Sequence, residues 1–251
     1  MHQQLASATF QVIAGNSCGS GFSFMRDDLA VTNFHVIKPL IDLEKKSTLG
    51  LVTLITESGQ RLEADIKYLD IEKDFAIMQL LEPLPNGREV LQPVSDFIPK
   101  RGLRLIFAGY PHGFPELITS EAIISSVLES GVFAIDGMVN GGNSGGPIID
   151  AASGLVIGLV TARRYASGEK AKALTAEAAY LRAHLEQASK RGSLDIIGID
   201  FGSLADMFAR SLQVITELME LNANPGIGIG YPILPIVEMA KKQKRSFITK
   251  Y

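Results

Sequence analysis

The sequence predicts a mainly β protein, built as two six-stranded-type antiparallel β-barrels with a helical insertion and a C-terminal helix in the last third. Three observations predict it. Short alternating apolar runs bounded by turn-rich pieces fill the first third, and a second set recurs between residues 104 and 161. Between the sets, Pro83, Pro85, Asn86, Gly87, Pro93 and Pro99 make a stretch that can be neither a central strand nor a helix interior, because proline lacks the backbone donor both require. After Ala162 the apolar period changes from two to nearly four.

Taken in order, the runs at 10–14, 21–24, 29–32, 49–56, 61–69 and 75–81 form an N-terminal barrel over residues 1–92. Those at 104–108, 118–128, 132–136, 147–150 and 155–161 begin a second barrel, assigned to 93–165 and 225–251. Residues 166–224 are the helical insertion. There Leu174, Ala178, Leu181, Leu185 and Ala188 share one helical face, and Leu204, Phe208, Ser211, Ile215, Leu218 and Asn222 share another. Thr175 and Ser203 sit near the starts of these helices, and Gly192 and Asn224-Pro225-Gly226 end them. Two segments compete for the last strand, Ile197-Gly198-Ile199-Asp200-Phe201 and Gly226-Ile227-Gly228-Ile229-Gly230-Tyr231-Pro232. The later one is preferred because a helix opened near Pro235, with basic residues at its end, follows it.

The chemistry is carried by Gly141-Gly142-Asn143-Ser144-Gly145-Gly146-Pro147, a serine boxed in by glycines. Such a loop allows close main-chain approach, so the N–H groups of Gly142 and Ser144 can hold an oxyanion. A serine hydroxyl is a poor nucleophile without a base and a group to orient that base. His35 ends a β-rich run that breaks at Asn33, and Asp74 stands directly before a strand-like run whose apolar flank shields it. Each residue alone reads equally as a cap or turn residue. Together they occur in the order His, Asp, Ser, at strand edges in two different barrels, which places a candidate cleft between the barrels. His112, in a turn, is the rival base.

These blocks resemble the trypsin-fold serine peptidases, and most closely the HtrA (Deg) branch. The resemblance is carried by Gly19-Ser20-Gly21-Phe22, Thr32-Asn33-Phe34-His35-Val36, Asp74-Phe75-Ala76-Ile77 and Ala108-Gly109-Tyr110-Pro111, and by the segment from Ile135-Asp136 through Asn143-Ser144-Gly145-Gly146-Pro147. It implies His35 as general base, Asp74 as its orienting partner, Ser144 as nucleophile, and Gly142, Asn143 and Ser144 as the oxyanion loop. It also implies a specificity pocket lined by Met138, Val139, Val160, Thr161 and Ala162, without a basal carboxylate, so that a small or medium apolar side chain precedes the cut. The expected substrate is a peptide or protein, the expected product set is that of hydrolysis through an acyl-enzyme, and no cofactor or metal is expected. Asn143 replaces the aspartate that digestive relatives use in zymogen activation, so that route is not expected. No PDZ-sized sequence is left over. Two alternatives stay open: a silent peptide-binding module on the same fold, and an effector activated by a partner. A second copy or a regulatory partner is expected to use the helices in 170–222.

Composition bounds the remainder. With 251 residues and 46% hydrophobic content the chain can bury a large core, and a net charge of −3 steers no particular partner. The basic residues Lys190, Arg191, Lys241, Lys242, Lys244, Arg245 and Lys250 lack aromatic interleaving, so no nucleic-acid partner is expected. Cys18 is the single cysteine and excludes an intrachain disulfide. With no basic start or long apolar run at the N-terminus, neither a signal peptide nor a membrane partner is expected, and a cytoplasmic location is.

Overall fold

The computed structural model describes residues 1–112, 114–163, 169–190, 195–196, 199–222, 226–242 and 248–250. Alternation in the first third becomes a closed ring of six strands: β1 (Thr9–Ala14), β2 (Ser17–Ser23), β3 (Leu29–Thr32), β4 (Val52–Ile55), β5 (Arg61–Asp70) and β6 (Phe75–Leu80). Their order is β5-β4-β1-β2-β3-β6, every neighbour is antiparallel, and β5 pairs with β6 to close the ring. Phe10, Val12, Leu54, Leu62, Ile66 and Met78 fill its interior, because alternate positions of a strand share a face. The opposite faces of β2, β3 and β6 carry Phe22, Phe24, Val31, Phe75 and Ile77, which form one core with Ile106, Ile149, Val156 and Leu159 of the second barrel. Burial on both faces explains why β3 and β6 are almost wholly apolar, where strict alternation was expected.

The second ring comprises β7 (Arg104–Gly109), β8 (Ile118–Val127), β9 (Phe133–Asp136), β10 (Pro147–Asp150), β11 (Val156–Arg163) and β12 (Ile227–Pro232). It closes in the order β8-β9-β12-β11-β10-β7 around Leu105, Phe107, Phe133, Ile135, Ile148 and Ile157. Of the two segments weighed for the last strand, 227–232 lies in the barrel between β9 and β11. Residues Asp195–Ile196 pair instead with Ile199–Asp200 as a hairpin. Helix Leu234–Lys242 then buries Ile236, Val237 and Ala240 in the core shared by the barrels, and Ile248–Lys250 pairs in parallel with β5.

The sequence did not predict α1 (His2–Ala8), whose Leu5 and Ala8 join the shared core. At seven residues it is too short for a helical period to register. A one-turn helix, α2 (Phe34–Ile37), likewise stands where a strand end was expected, with Asn33 as its N-cap in extended conformation.

Residues 164–225 form a separate compact unit. Its helices α3 (Glu169–Lys190) and α4 (Phe201–Asn222) pack on each other. The cap of α4 is Asp200, whose carboxylate accepts the N–H of Gly202 at 2.8 Å and the hydroxyl of Ser203 at 2.9 Å, and α3 begins ahead of Thr175. Met207, Phe208, Val214 and Ile215 of α4 are exposed. Among the described residues no helix is long and apolar enough to cross a membrane.

Candidate active site

The first barrel supplies His35 and Asp74. Asn33 ends β3 and lets the chain turn into α2, which presents His35 from the barrel rim. Asp74 stands in the tight turn between β5 and β6 at φ +51°, a left-handed conformation that Asp tolerates better than most residues. Its Oδ2 lies 2.7 Å from Nδ1 of His35, and its Oδ1 accepts the His35 backbone N–H at 2.9 Å. An ionised carboxylate only accepts, so Nδ1 carries the proton and Nε2 is left with a lone pair. That is the tautomer a general base needs.

A third donor comes from the second barrel. The Thr161 hydroxyl donates to Asp74 Oδ2 at 2.8 Å, and Asn33 Nδ2 donates to the Asp74 carbonyl at 2.6 Å and to Thr161 Oγ1 at 3.3 Å. Thr161 sits where the pairing of β11 with β12 shifts register between Val160 and Ala162. A bulge of this kind turns a side chain out of the regular alternation. Here it aims the hydroxyl across the barrel boundary at Asp74.

The second barrel also supplies the loop that carries Ser144, between β9 and β10. Gly142 has φ +93°, and a Cβ there would lie 2.2 Å from the Tyr110 carbonyl, so only glycine fits. Gly145 is pressed equally hard against the first barrel: its Cβ would meet Ser20 O at 2.2 Å, Thr32 Oγ1 at 2.4 Å and Asn33 N at 2.9 Å. The loop is thus seated beside the segment that leads into His35, and the Ser144 carbonyl accepts the Ser20 N–H at 2.8 Å. Ser144 is partly exposed. Among the described residues, the N–H groups of Gly142 and Ser144 donate to no protein acceptor, nor does the Ser144 hydroxyl bond to any group. Asn143 differs: its N–H turns back to the Asn140 carbonyl at 3.1 Å, and its side chain is buried.

Ser20 was quoted in the sequence only as part of a glycine-serine block, yet it joins the two barrels. Its hydroxyl donates to Gly142 O at 2.7 Å and accepts the Tyr110 N–H at 2.9 Å. A buried serine between two glycines was the available signal. His112 forms no contact with a described carboxylate; its ring lies on Gly141 and Gly142. Of the residues expected to line a pocket, Val139 and Val160 are in the core of the second barrel, Met138 is 68% exposed, and Thr161 bonds Asp74. The side chain of Ala162 falls outside the described residues. Burial pushes the Cys18 thiol above its usual range, which favours the protonated form over the nucleophilic thiolate.

Comparison with known proteins agrees with this fold. The profile of the trypsin-like peptidase domain matches residues 19–159. A probable periplasmic serine endoprotease, DegP-like, of Brucella suis is 29% identical over 222 residues, covering 82% of this chain and 40% of that protein. Protease Do-like 1, chloroplastic, of Arabidopsis thaliana is 32% identical over 161 residues, 60% of this chain and 34% of that protein. The chain therefore spans well under half the length of these relatives. Among solved structures, the serine endoprotease from Yersinia pestis aligns with TM-score 0.54 at 21% identity, over 65% of this chain and 58% of that one. An HtrA-type protease with tripeptide aligns with TM-score 0.60 at 19% identity, over 95% and 60%. These names correct the cytoplasmic location expected from the sequence, since the Brucella relatives are named periplasmic. The expectation rested on one unpaired cysteine and on the first few residues, and a periplasmic protein needs no disulfide to be stable when its core is as large as this one. A matched profile across more than half of the sequence, on two closed barrels with a glycine-boxed serine between them, makes this chain a member of the trypsin-like peptidase family.

Proposed function

We propose that the chain is a serine endopeptidase in which Ser144 is the nucleophile, His35 the general base and Asp74 the group that orients it. His35 Nε2 takes the Ser144 hydroxyl proton as Oγ attacks a peptide carbonyl. The N–H groups of Gly142 and Ser144 hold the developing oxyanion, and His35 then passes the proton to the leaving amine. Water, activated by the same imidazole, hydrolyses the acyl-enzyme. Side chains, main-chain donors and water suffice for every step. The observation that carries the reading is the Asp74 carboxylate, which draws the His35 ring, the His35 N–H and the Thr161 hydroxyl into one cluster spanning both barrels. Donors drawn to one carboxylate from both barrels hold the imidazole in a fixed orientation and tautomer, which is what a general base requires.

A fluorophosphonate probe tests it. Labelling of the wild type that is lost in Ser144→Ala and in His35→Ala is expected. Equal labelling of Ser144→Ala would reject Ser144 as nucleophile. For the substrate, a small or medium apolar residue before the cut is proposed from the family resemblance, which puts no carboxylate among the residues expected to line the pocket. Cleavage confined to Lys or Arg in a peptide library would reject that.

The helical unit is proposed to take a second copy or a regulatory partner that sets the activity. Support comes from connectivity and surface: the unit is inserted between β11, which carries Thr161, and β12, and α4 exposes Met207, Phe208, Val214 and Ile215. Labelling that rises with protein concentration, and loses that dependence in Phe208→Ser/Ile215→Ser, is the expected result. Concentration-independent labelling together with a monomer at all concentrations would remove the second copy from consideration.

A further inference from the structure

Gly141 and Gly142 have no side chains, so whatever holds their peptide planes must come from outside the loop. Two contacts are polar: the Gly141 carbonyl accepts the His112 N–H at 2.7 Å, and the Gly142 carbonyl accepts the Ser20 hydroxyl at 2.7 Å. The third is the His112 ring itself. A Cβ built on Gly141 would lie 3.1 Å from His112 Nδ1, and one on Gly142 would lie 2.8 Å from Cδ2. The imidazole therefore covers both glycines. Its far end, Nε2, lies 3.4 Å from the Cys18 carbonyl on β2, in the part of that strand beyond its pairing with β3. A carbonyl only accepts, so Nε2 carries the proton in this contact.

We infer that His112 is a positioning residue for the reaction proposed above, its ring bracing Gly141 and Gly142 from β2 so that the Gly142 N–H stays aimed at the oxyanion. The inference rests on Ser144 being the nucleophile. Glycine pairs have the widest conformational range of any dipeptide, and a donor that wanders loses the preorganisation from which an oxyanion hole draws its strength. Main-chain bonds alone do not remove that range, since each leaves rotation about the neighbouring torsions. A ring lying on both residues does. His112 is exposed on its outer side, and its own N–H bond to Gly141 survives any replacement except proline. Contact area carries most of the effect, because a bond of 3.4 Å at an exposed site is weak.

The test compares His112→Ala with His112→Phe in the full chain. His112→Ala should lower kcat and the rate of fluorophosphonate labelling about tenfold, a fraction of what losing an oxyanion donor costs, with KM changed less than about twofold. His112→Phe restores the cover without the polar end and should return both rates to within about twofold of wild type. Backbone amide exchange at Gly141 and Gly142 supplies a readout independent of activity: faster in His112→Ala, restored in His112→Phe. Wild-type turnover and exchange in His112→Ala would overturn the inference, and so would His112→Phe behaving like His112→Ala. Should His112→Ala unfold, the phenylalanine variant decides alone, since it fills the same space. Loss of all labelling in the wild type would instead reject the nucleophile, while the exchange comparison would still judge the brace. An inactive His112→Phe beside an active His35→Ala would make His112 the base and overturn both.

Discussion

The two halves of the site are held by opposite means. The His35 and Asp74 half is fixed by donors converging on one carboxylate: the ring and main-chain N–H of His35 in α2, and the Thr161 hydroxyl at the bulge. The Ser144 loop is fixed mainly by main-chain bonds and close backbone packing, with space at Gly142 and Gly145 for hydrogen alone, and from outside by the Ser20 hydroxyl and the His112 ring. The difference teaches where each half is vulnerable. The first should fail by loss of a single polar atom while the fold survives. The second should fail by gain of a single methyl.

Asp74→Asn probes the first half and has the largest expected effect. Asparagine tolerates the left-handed backbone at this position as well as aspartate does, so folding should be retained. Its amide would face the ring nitrogen and the Thr161 hydroxyl, favouring the wrong histidine tautomer. A fall in kcat of about 10⁴-fold is expected, about 5.4 kcal/mol of transition-state stabilisation. Steady-state kinetics beside a thermal melt checks it; a loss under about tenfold would mean that Asp74 does not orient the base.

Gly142→Ala against Gly59→Ala probes the second half. Both glycines have positive φ, +93° and +82°, but nothing lies within 4 Å of a Cβ on Gly59, whereas the Tyr110 carbonyl stands 2.2 Å from one on Gly142. Backbone strain of about 1–2 kcal/mol is common to both, so the difference isolates crowding. Gly142→Ala should lose at least about 10²-fold in labelling rate and be less stable than Gly59→Ala by about 2 kcal/mol in urea. Equal midpoints would break the contrast.

These contrasts also show what the sequence made legible. Both barrels were readable because their strands alternate or run apolar, and His35 and Asp74 stood out at the edges of such runs, Ser144 by the glycines that box it in. Thr161 was read by resemblance as pocket lining, since regular alternation gives no sign of the register shift between Val160 and Ala162 that turns its hydroxyl to Asp74. Ser20 was hidden for a related reason: its partners, Gly142 and Tyr110, are about ninety or more positions away along the chain and are reached only through tertiary packing. His112 was set aside because it lies in a turn, and a turn says nothing of what its side chain covers. Short α1 and α2 have no period to read.

Thr161→Val and Ser20→Ala sharpen the comparison at smaller scale, one donor for each half. The valine keeps the shape and removes the hydrogen bond to the charged Asp74, worth about 1.5–3 kcal/mol, together with the longer one accepted from Asn33, so kcat should fall about 10- to 100-fold with little change in melting temperature. Ser20→Ala leaves the buried Gly142 carbonyl and the Tyr110 N–H without their partner. Its cost, about 1–3 kcal/mol, should appear first in stability and amide exchange. The reverse pattern, stability lost in Thr161→Val and kept in Ser20→Ala, would exchange the roles assigned to the two residues.

The smallest effect is reached through pH. Burial pushes the Tyr110 hydroxyl up to about 12, although Arg88 opposes the shift, and pushes Tyr231 up to about 12 with Asp70 adding to it; burial raises Tyr68 as well. A phenol raised in the folded state keeps a proton that the unfolded chain gives up near pH 10. The stability these groups contribute is therefore complete below about pH 10 and is lost as the pH rises towards about 12. Ultraviolet titration should show at least three of the six tyrosines ionising late, together with unfolding. Tyr110 belongs to the nucleophile half through its carbonyl beneath Gly142, and its hydroxyl is buried without a partner among the described residues. Tyr110→Phe removes that hydroxyl and leaves the ring, so it should be neutral or slightly stabilising at neutral pH and should remove one late ionisation. A clear loss of stability in this variant would show that the hydroxyl has a partner, such as a bound water, and that the Ser144 half depends on a second side-chain polar atom besides the Ser20 hydroxyl.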